Sequence, residues 1–167
     1  GFATPRVPAG TYTAVITKGR DVFEHTFNII NDNRAGLTQA DQKLKQDIMS
    51  KMYDMTEELA YMVYQIDTFL ASPSTKSKVK TELENLKKTL VITTGDNYVG
   101  SAEPELREKL ANLFSKIVGS YDKPSNNELE NLKTIESRFT SSNKMFNKLK
   151  KKIKNVDYQS FESFLKE

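Results

Sequence analysis

The sequence predicts a mainly α fold, an antiparallel up-down-up-down four-helix bundle behind an N-terminal β-hairpin, on three observations. Glycine and proline are gathered into gaps. After Gly10, Gly19 and Gly36 no glycine occurs until Gly95 and none follows Gly119, while Pro73, Pro104 and Pro124 fall between long uninterrupted stretches. Both residues punctuate helices, glycine by its freedom at positive φ and proline by its missing amide hydrogen. Along those stretches apolar residues recur at steps of three and four, the period of a helix with one buried face, whereas the first part alternates with period two.

Taken in order, the first element is the hairpin, within a segment bounded at residues 1–36. Thr11 to Thr17 and Val22 to Ile30 are rich in β-branched and aromatic residues and flank the polar turn Lys18-Gly19-Arg20-Asp21. Tyr12, Ala14 and Ile16 share one face of the first strand, and Phe23, His25, Phe27 and Ile29 one face of the second. Two strands alone are marginal in water, so a third strand, a helical surface or a second copy of the chain is expected to cover them.

The bundle occupies 37–167. Its first helix is predicted over about 38–72, with Thr38 as cap and Asp41 near the positive end of the dipole. Leu44, Ile48, Met52, Met55, Leu59, Met62, Ile66 and Phe69 form its stripe. A second helix, about 75–92, carries Val79, Leu83, Leu86 and Leu90. A third, about 102–119, carries Leu106, Leu110, Leu113 and Ile117. The fourth, about 125–156, opens on Ser125 with Glu128 three residues on, a capping box, and a short helical segment ends the chain. Its stripe runs Leu132, Ile135, Phe139, Ser142, Phe146, Leu149, Ile153 and Val156.

The short connections at 72–75 and 121–124 make the first and second pairs of helices antiparallel. Since the first and fourth helices are long and the middle two short, their excess is expected to project at the end where helix one starts and helix four finishes. There Phe23, Phe27 and Ile29 are predicted to pack near Leu44, Ile48, Ile153, Val156, Phe161 and Phe164. The stripes are expected to seal against each other and leave no hollow where reactive groups converge.

Composition narrows the chemistry. The 167 residues contain no cysteine, no tryptophan and one histidine, which removes disulfide scaffolds, cysteine nucleophiles and sites needing two imidazoles. A net charge of +3, from 25 basic against 22 acidic residues, names no polyanionic partner. No run of about 18 apolar residues is present for a membrane span. Gly1 without a methionine, followed by Phe2-Ala3-Thr4-Pro5-Arg6, reads as the remnant of a removed tag on a chain that begins inside a longer protein.

Each candidate for chemistry has a plainer reading. His25 lies on a strand face between two phenylalanines and no Gly-x-Ser-x-Gly elbow accompanies it, so it reads as a packing residue. The carboxylate pairs Asp54 with Glu58 and Glu103 with Glu105 read as solvated surface. A di-metal carboxylate centre needs Glu-x-x-His pairs on helices, and no phosphate-binding glycine loop is present. No cofactor or metal is expected. Lys144 to Lys154 holds six lysines and no acid; Lys144, Lys148, Lys151 and Lys152 are the candidate contacts for a polyanion or a membrane surface, against the reading of a wet helix face, and nucleic acid is not favoured. Met49, Met52, Met55 and Met62 read as core filling, three of them on the stripe. Asp96 and Tyr98, in the longest irregular connection, are a candidate partner loop.

Two stretches carry a family resemblance. Pro8-Ala9-Gly10-Thr11-Tyr12 resembles the Pro-x-Gly-x-Tyr run that opens the penultimate strand of many bacterial immunoglobulin-like modules, and Phe27-Asn28-Ile29 resembles the last strand. Asn31-Asp32-Asn33-Arg34 followed by helices, with Ser125-Asn126-Asn127-Glu128-Leu129 opening the last one, is similar to the C-terminal region of exported sortilin-like proteins with BNR/Asp-box β-propellers, often labelled glycosyl hydrolases; Asn33 stands where that pattern has proline. The resemblance implies a hairpin left from an immunoglobulin-like module and a non-catalytic C-terminal accessory or interaction domain. Its partners are then the upstream domains of the same polypeptide, in a periplasmic, cell-surface or extracellular setting. The alternative is part of a glycoside hydrolase whose active site lies upstream. Bare strand edges imply a homodimer through the hairpin.

Overall fold

The computed structural model describes residues 7–30, 36–93 and 103–166. Asp96 and Tyr98, the stretch 1–6 and the segment 31–35 lie outside the described residues. The order is β1 (Gly10–Lys18), β2 (Asp21–Ile29), α1 (Gln39–Ala71), α2 (Ser77–Leu90), α3 (Leu106–Gly119), α4 (Asn126–Lys150) and α5 (Phe161–Phe164). The mainly α class with an N-terminal antiparallel hairpin is what the structure shows.

In the hairpin, Lys18 pairs with Asp21 around a two-residue turn, and Gly19 takes φ 64. That is the first central position of the turn, where a type II′ turn uses glycine because positive φ there carries no Cβ penalty. The register sets Tyr12 opposite Phe27, Ala14 opposite His25 and Ile16 opposite Phe23.

The helices begin where their side chains satisfy free amides. The Thr38 hydroxyl accepts from the Asp41 amide while the Asp41 carboxylate accepts from the Thr38 amide, and Ser125 and Glu128 make the same exchange at α4. Lys80 Nζ donates to the Leu70 carbonyl at 2.7 Å and Lys87 pairs with Asp67, so α2 runs back along the C-terminal half of α1. Lys45, near the start of α1, donates to the Ser120 and Asp122 carbonyls just past the end of α3. Thus α3 also runs antiparallel to α1, beside its N-terminal half.

The two antiparallel pairs expected from the short turns are present, but α2 and α3 run the same way, so the directions are up-down-down-up. Length explains it. At about 1.5 Å per residue α1 spans roughly 50 Å and α2 and α3 about 21 Å each, so the two short helices fit in tandem along one long one. The cross-section therefore holds three rods: α1, α4, and a third divided into α2 and α3. Ion pairs from Lys51 to Glu136 (2.6 Å) and Lys152 to Glu82 (2.9 Å), with Phe69 stacked on Phe146, fix α4 parallel to α1.

The core runs the length of these rods. The predicted stripes of α2 and α3 are buried throughout, as is that of α1 from Ile48 to Phe69; Leu44 remains 43% exposed. All four α1 methionines of the core reading are buried, Met49 included. In α4 Leu132, Ile135, Phe146 and Leu149 are buried and Phe139 packs at the margin, as do Ile153 and Val156 beyond the helix.

Two expectations are corrected. The fourth helix ends at Lys150 and not near 156: the chain tightens into turns through Lys152 and Ile153 and reverses at Asn155, whose φ is 58. The hairpin is not seated on Leu44, Ile48, Ile153, Val156, Phe161 and Phe164, for Phe23 stays 57% and Phe27 41% exposed. The cause is the parallel course of α4. Its end lies beside the C-terminal half of α1, far from where the hairpin joins, and Phe161 and Phe164 pack there on Tyr61 and Tyr64.

Candidate functional site

Directly opposed residues of an antiparallel pair lie on the same side of the sheet, so the register divides the hairpin into two unlike faces. One carries Tyr12 with Phe27, Ala14 with His25 and Ile16 with Phe23, its rings at Tyr12 and Phe27 set 6.2 Å apart. The other carries Thr11 with Asn28 and Thr13 with Thr26, each pair joined by a side-chain hydrogen bond (2.7 and 3.2 Å), then Val15 with Glu24. The second face is built for water. The first is an apolar patch with His25 in its middle, and Ile16, Phe23 and Phe27 in it are exposed. Among the described residues both outer strand edges of the two-stranded sheet are unpaired.

A second feature lies between α1 and α4. Past Asn155 the chain crosses back over α1. Tyr61 Oη donates to the Gln159 carbonyl at 2.7 Å and the Gln159 amide donates to Tyr64 Oη at 3.2 Å. Burial, with the neighbouring Tyr158 and Tyr64, pushes the Tyr61 phenol above its ordinary value. This strap leaves a cleft of about 260 Å³ lined by Glu58, Tyr61, Met62, Gln65, Asn143, Phe146, Asn147, Lys150 and Phe161. The expectation of no hollow is thereby corrected, because Gln65 and Asn143 occupy positions in the α1–α4 seam where apolar side chains would have closed it.

Gln65 is 2% exposed, and its amide nitrogen has no hydrogen-bond partner among the described residues. Asn147 Nδ2 donates to Asn143 Oδ1 at 2.9 Å. Lys150 Nζ lies 4.8 Å from the Tyr158 ring centre and 6.0 Å from that of Phe146.

The other sequence candidates are scattered. Glu105 caps α3, exchanging hydrogen bonds with Glu108 and pairing with Arg138 at 3.2 Å, a role in the fold. Glu103, Asp54 and Glu58 are exposed, and Glu58, the partner of Asp54 in its pair, lines the cleft. Lys144, Lys148 and Lys151 recur at steps of four and three on an exposed side of α4's end, whereas Lys152 is held by Glu82. Among the described residues no group of three or more acidic or imidazole side chains is placed to hold a metal. No helix of the described residues is long and apolar enough to cross a membrane.

Reading the sequence missed Gln65, Asn143 and Asn147. Their one signal is position: Gln65 falls one residue before Ile66 of the stripe, and Asn143 and Asn147 flank Phe146 on the same helix. Compared with family models, curated proteins and solved structures, the chain matches none.

Proposed function

We propose that this chain is a non-catalytic interaction domain, a helical bundle presenting a two-stranded sheet that strands of upstream domains in the same polypeptide complete. The single observation behind this reading is the division of the hairpin into a threonine-rich face and an uncovered aromatic one. A sheet with one apolar face is stable only when something covers that face. A partner strand added at a bare edge supplies main-chain hydrogen bonds, and a second layer covers Phe23 and Phe27. The accessory region of an exported β-propeller protein, the resemblance drawn from the sequence, fits this arrangement. In the isolated chain the same edges pair with a second copy.

The absence of tryptophan gives a direct test. Phe23→Trp places a lone reporter on the apolar face. Its emission is expected at the long wavelengths of a water-exposed indole in dilute chain. It shifts to shorter wavelengths when the upstream polypeptide is joined, or as concentration drives dimerisation measured by light scattering. An indole that stays water-exposed in the joined protein defeats the reading, and so does turnover of a glycan panel by the chain alone.

A further inference from the structure

We propose that the cleft between α1 and α4 is a binding site for a small zwitterion of the size of a free amino acid. The first ground is the buried amide of Gln65. An amide donor removed from water without a partner is destabilising, and a leucine of similar volume would close the seam without that cost. A group retained there has something to donate to.

The second ground is charge. Glu58 on α1 and Lys150 on α4 both line the cleft, and neither forms an ion pair among the described residues. Lys150 Nζ lies beside the Tyr158 ring, which meets Phe69 edge-on four residues beyond Gln65. Its ammonium thus lies toward the Gln65 side of the cleft, and Gln65 stands seven residues beyond Glu58 on α1, roughly 10 Å along the axis. The donors gather at one end and the carboxylate lies at the other. A zwitterion hydrogen-bonded at both ends spans about 9 Å, counting two bonds of about 2.8 Å and the separation of its own charges.

The polar assignment follows. The ligand carboxylate accepts from Lys150 Nζ and Gln65 Nε2. Its ammonium donates to Glu58 and to Asn147 Oδ1, the carbonyl oxygen of an amide whose Nδ2 donates to Asn143. The ligand's apolar part meets Met62 and Phe146. A neutral sugar pairs with neither charge, and a cleft of about 260 Å³ is below the usual range for larger cofactors.

The twenty L-amino acids, each titrated into the whole chain, test this by the side-chain amide resonance of Gln65 in ¹H–¹⁵N spectra. Saturable movement is expected with at least one amino acid, and none with its decarboxylated amine, its deaminated acid or glucose. Glu58→Gln and Lys150→Met each weaken that binding about tenfold or more. Gln65→Leu abolishes it and raises the thermal midpoint of the ligand-free chain. Movement with glucose, equal binding in the two charge variants, or no saturable movement with any amino acid overturns the proposal. So does a Gln65→Leu chain that melts lower or fails to fold, since the amide then serves the fold through internal water.

Discussion

Lys45 is the clearest case of one side chain fixing a helix direction. It is nearly buried, its stem lies along the core, and its ammonium answers the Ser120 and Asp122 carbonyls at the negative end of the α3 dipole. Lys45→Met keeps the stem and removes the donor, and urea unfolding is expected to show a loss of about 1–3 kcal/mol. The caps work at the surface. The Ser125 amide, then its hydroxyl, hold the Glu128 carboxyl below its ordinary value, with Lys116 adding to the effect; the Thr38 hydroxyl and amide do the same for Asp41. A carboxyl lowered on folding stabilises fully above its unfolded pKa and loses that contribution as pH falls through the folded one. Glu128→Gln should therefore cost stability at pH 7 and little at pH 3, narrowing the gap between its urea midpoints at the two values. Ser125→Ala should cost about 1 kcal/mol at pH 7.

At the scale of elements, hairpin and bundle are expected to respond separately to substitution. Phe23→Ser removes a large apolar side chain, which in a core costs several kcal/mol, but here Phe23 is more than half exposed. The thermal midpoint of the bundle is expected to stay within the range of ordinary surface changes, about 0.5 kcal/mol. A clear drop would mean that the aromatic face is seated on the helices. How much of this was legible in the sequence differs from element to element. Val79, Leu83, Leu86 and Leu90 announce α2 because a helix with one buried side repeats its apolar residues every three or four positions. The same pattern is blind to direction, so it could not separate a second helix returning in tandem with the third from one that turns back. It also ran α4 on through Ile153 and Val156, which are apolar at the right spacing but reach the core from turns and not from a helix. The cleft was hidden for a related reason: Gln65 breaks no period, and its meaning depends on what Asn143 and Lys150 bring from eighty residues away.

The tandem arrangement sets how the whole molecule unfolds. Leu83 of α2 and Leu110 of α3 are both fully buried, yet in opposite halves of the bundle, and the direct contact between their helices is slight beside their contacts with α1 and α4. Were α1 and α4 also divided, each half could melt alone. They are not: α1 passes without a break from Ile48, beside the α3 half, through Leu59 and Met62 to Phe69, beside the α2 half. Losing either short helix exposes a long strip of both continuous rods, and the cost of that strip is shared by the other half. Leu83→Ala and Leu110→Ala should each cost about 2–5 kcal/mol and leave one transition. Native-state hydrogen exchange is the discriminating measurement, because it reads α2 and α3 separately. In either variant the slowest amides of both helices should lose protection by the same factor. If Leu83→Ala speeds exchange in α2 while α3 keeps its protection, the rods do not couple the halves, and the bundle is two small units laid end to end on a shared support.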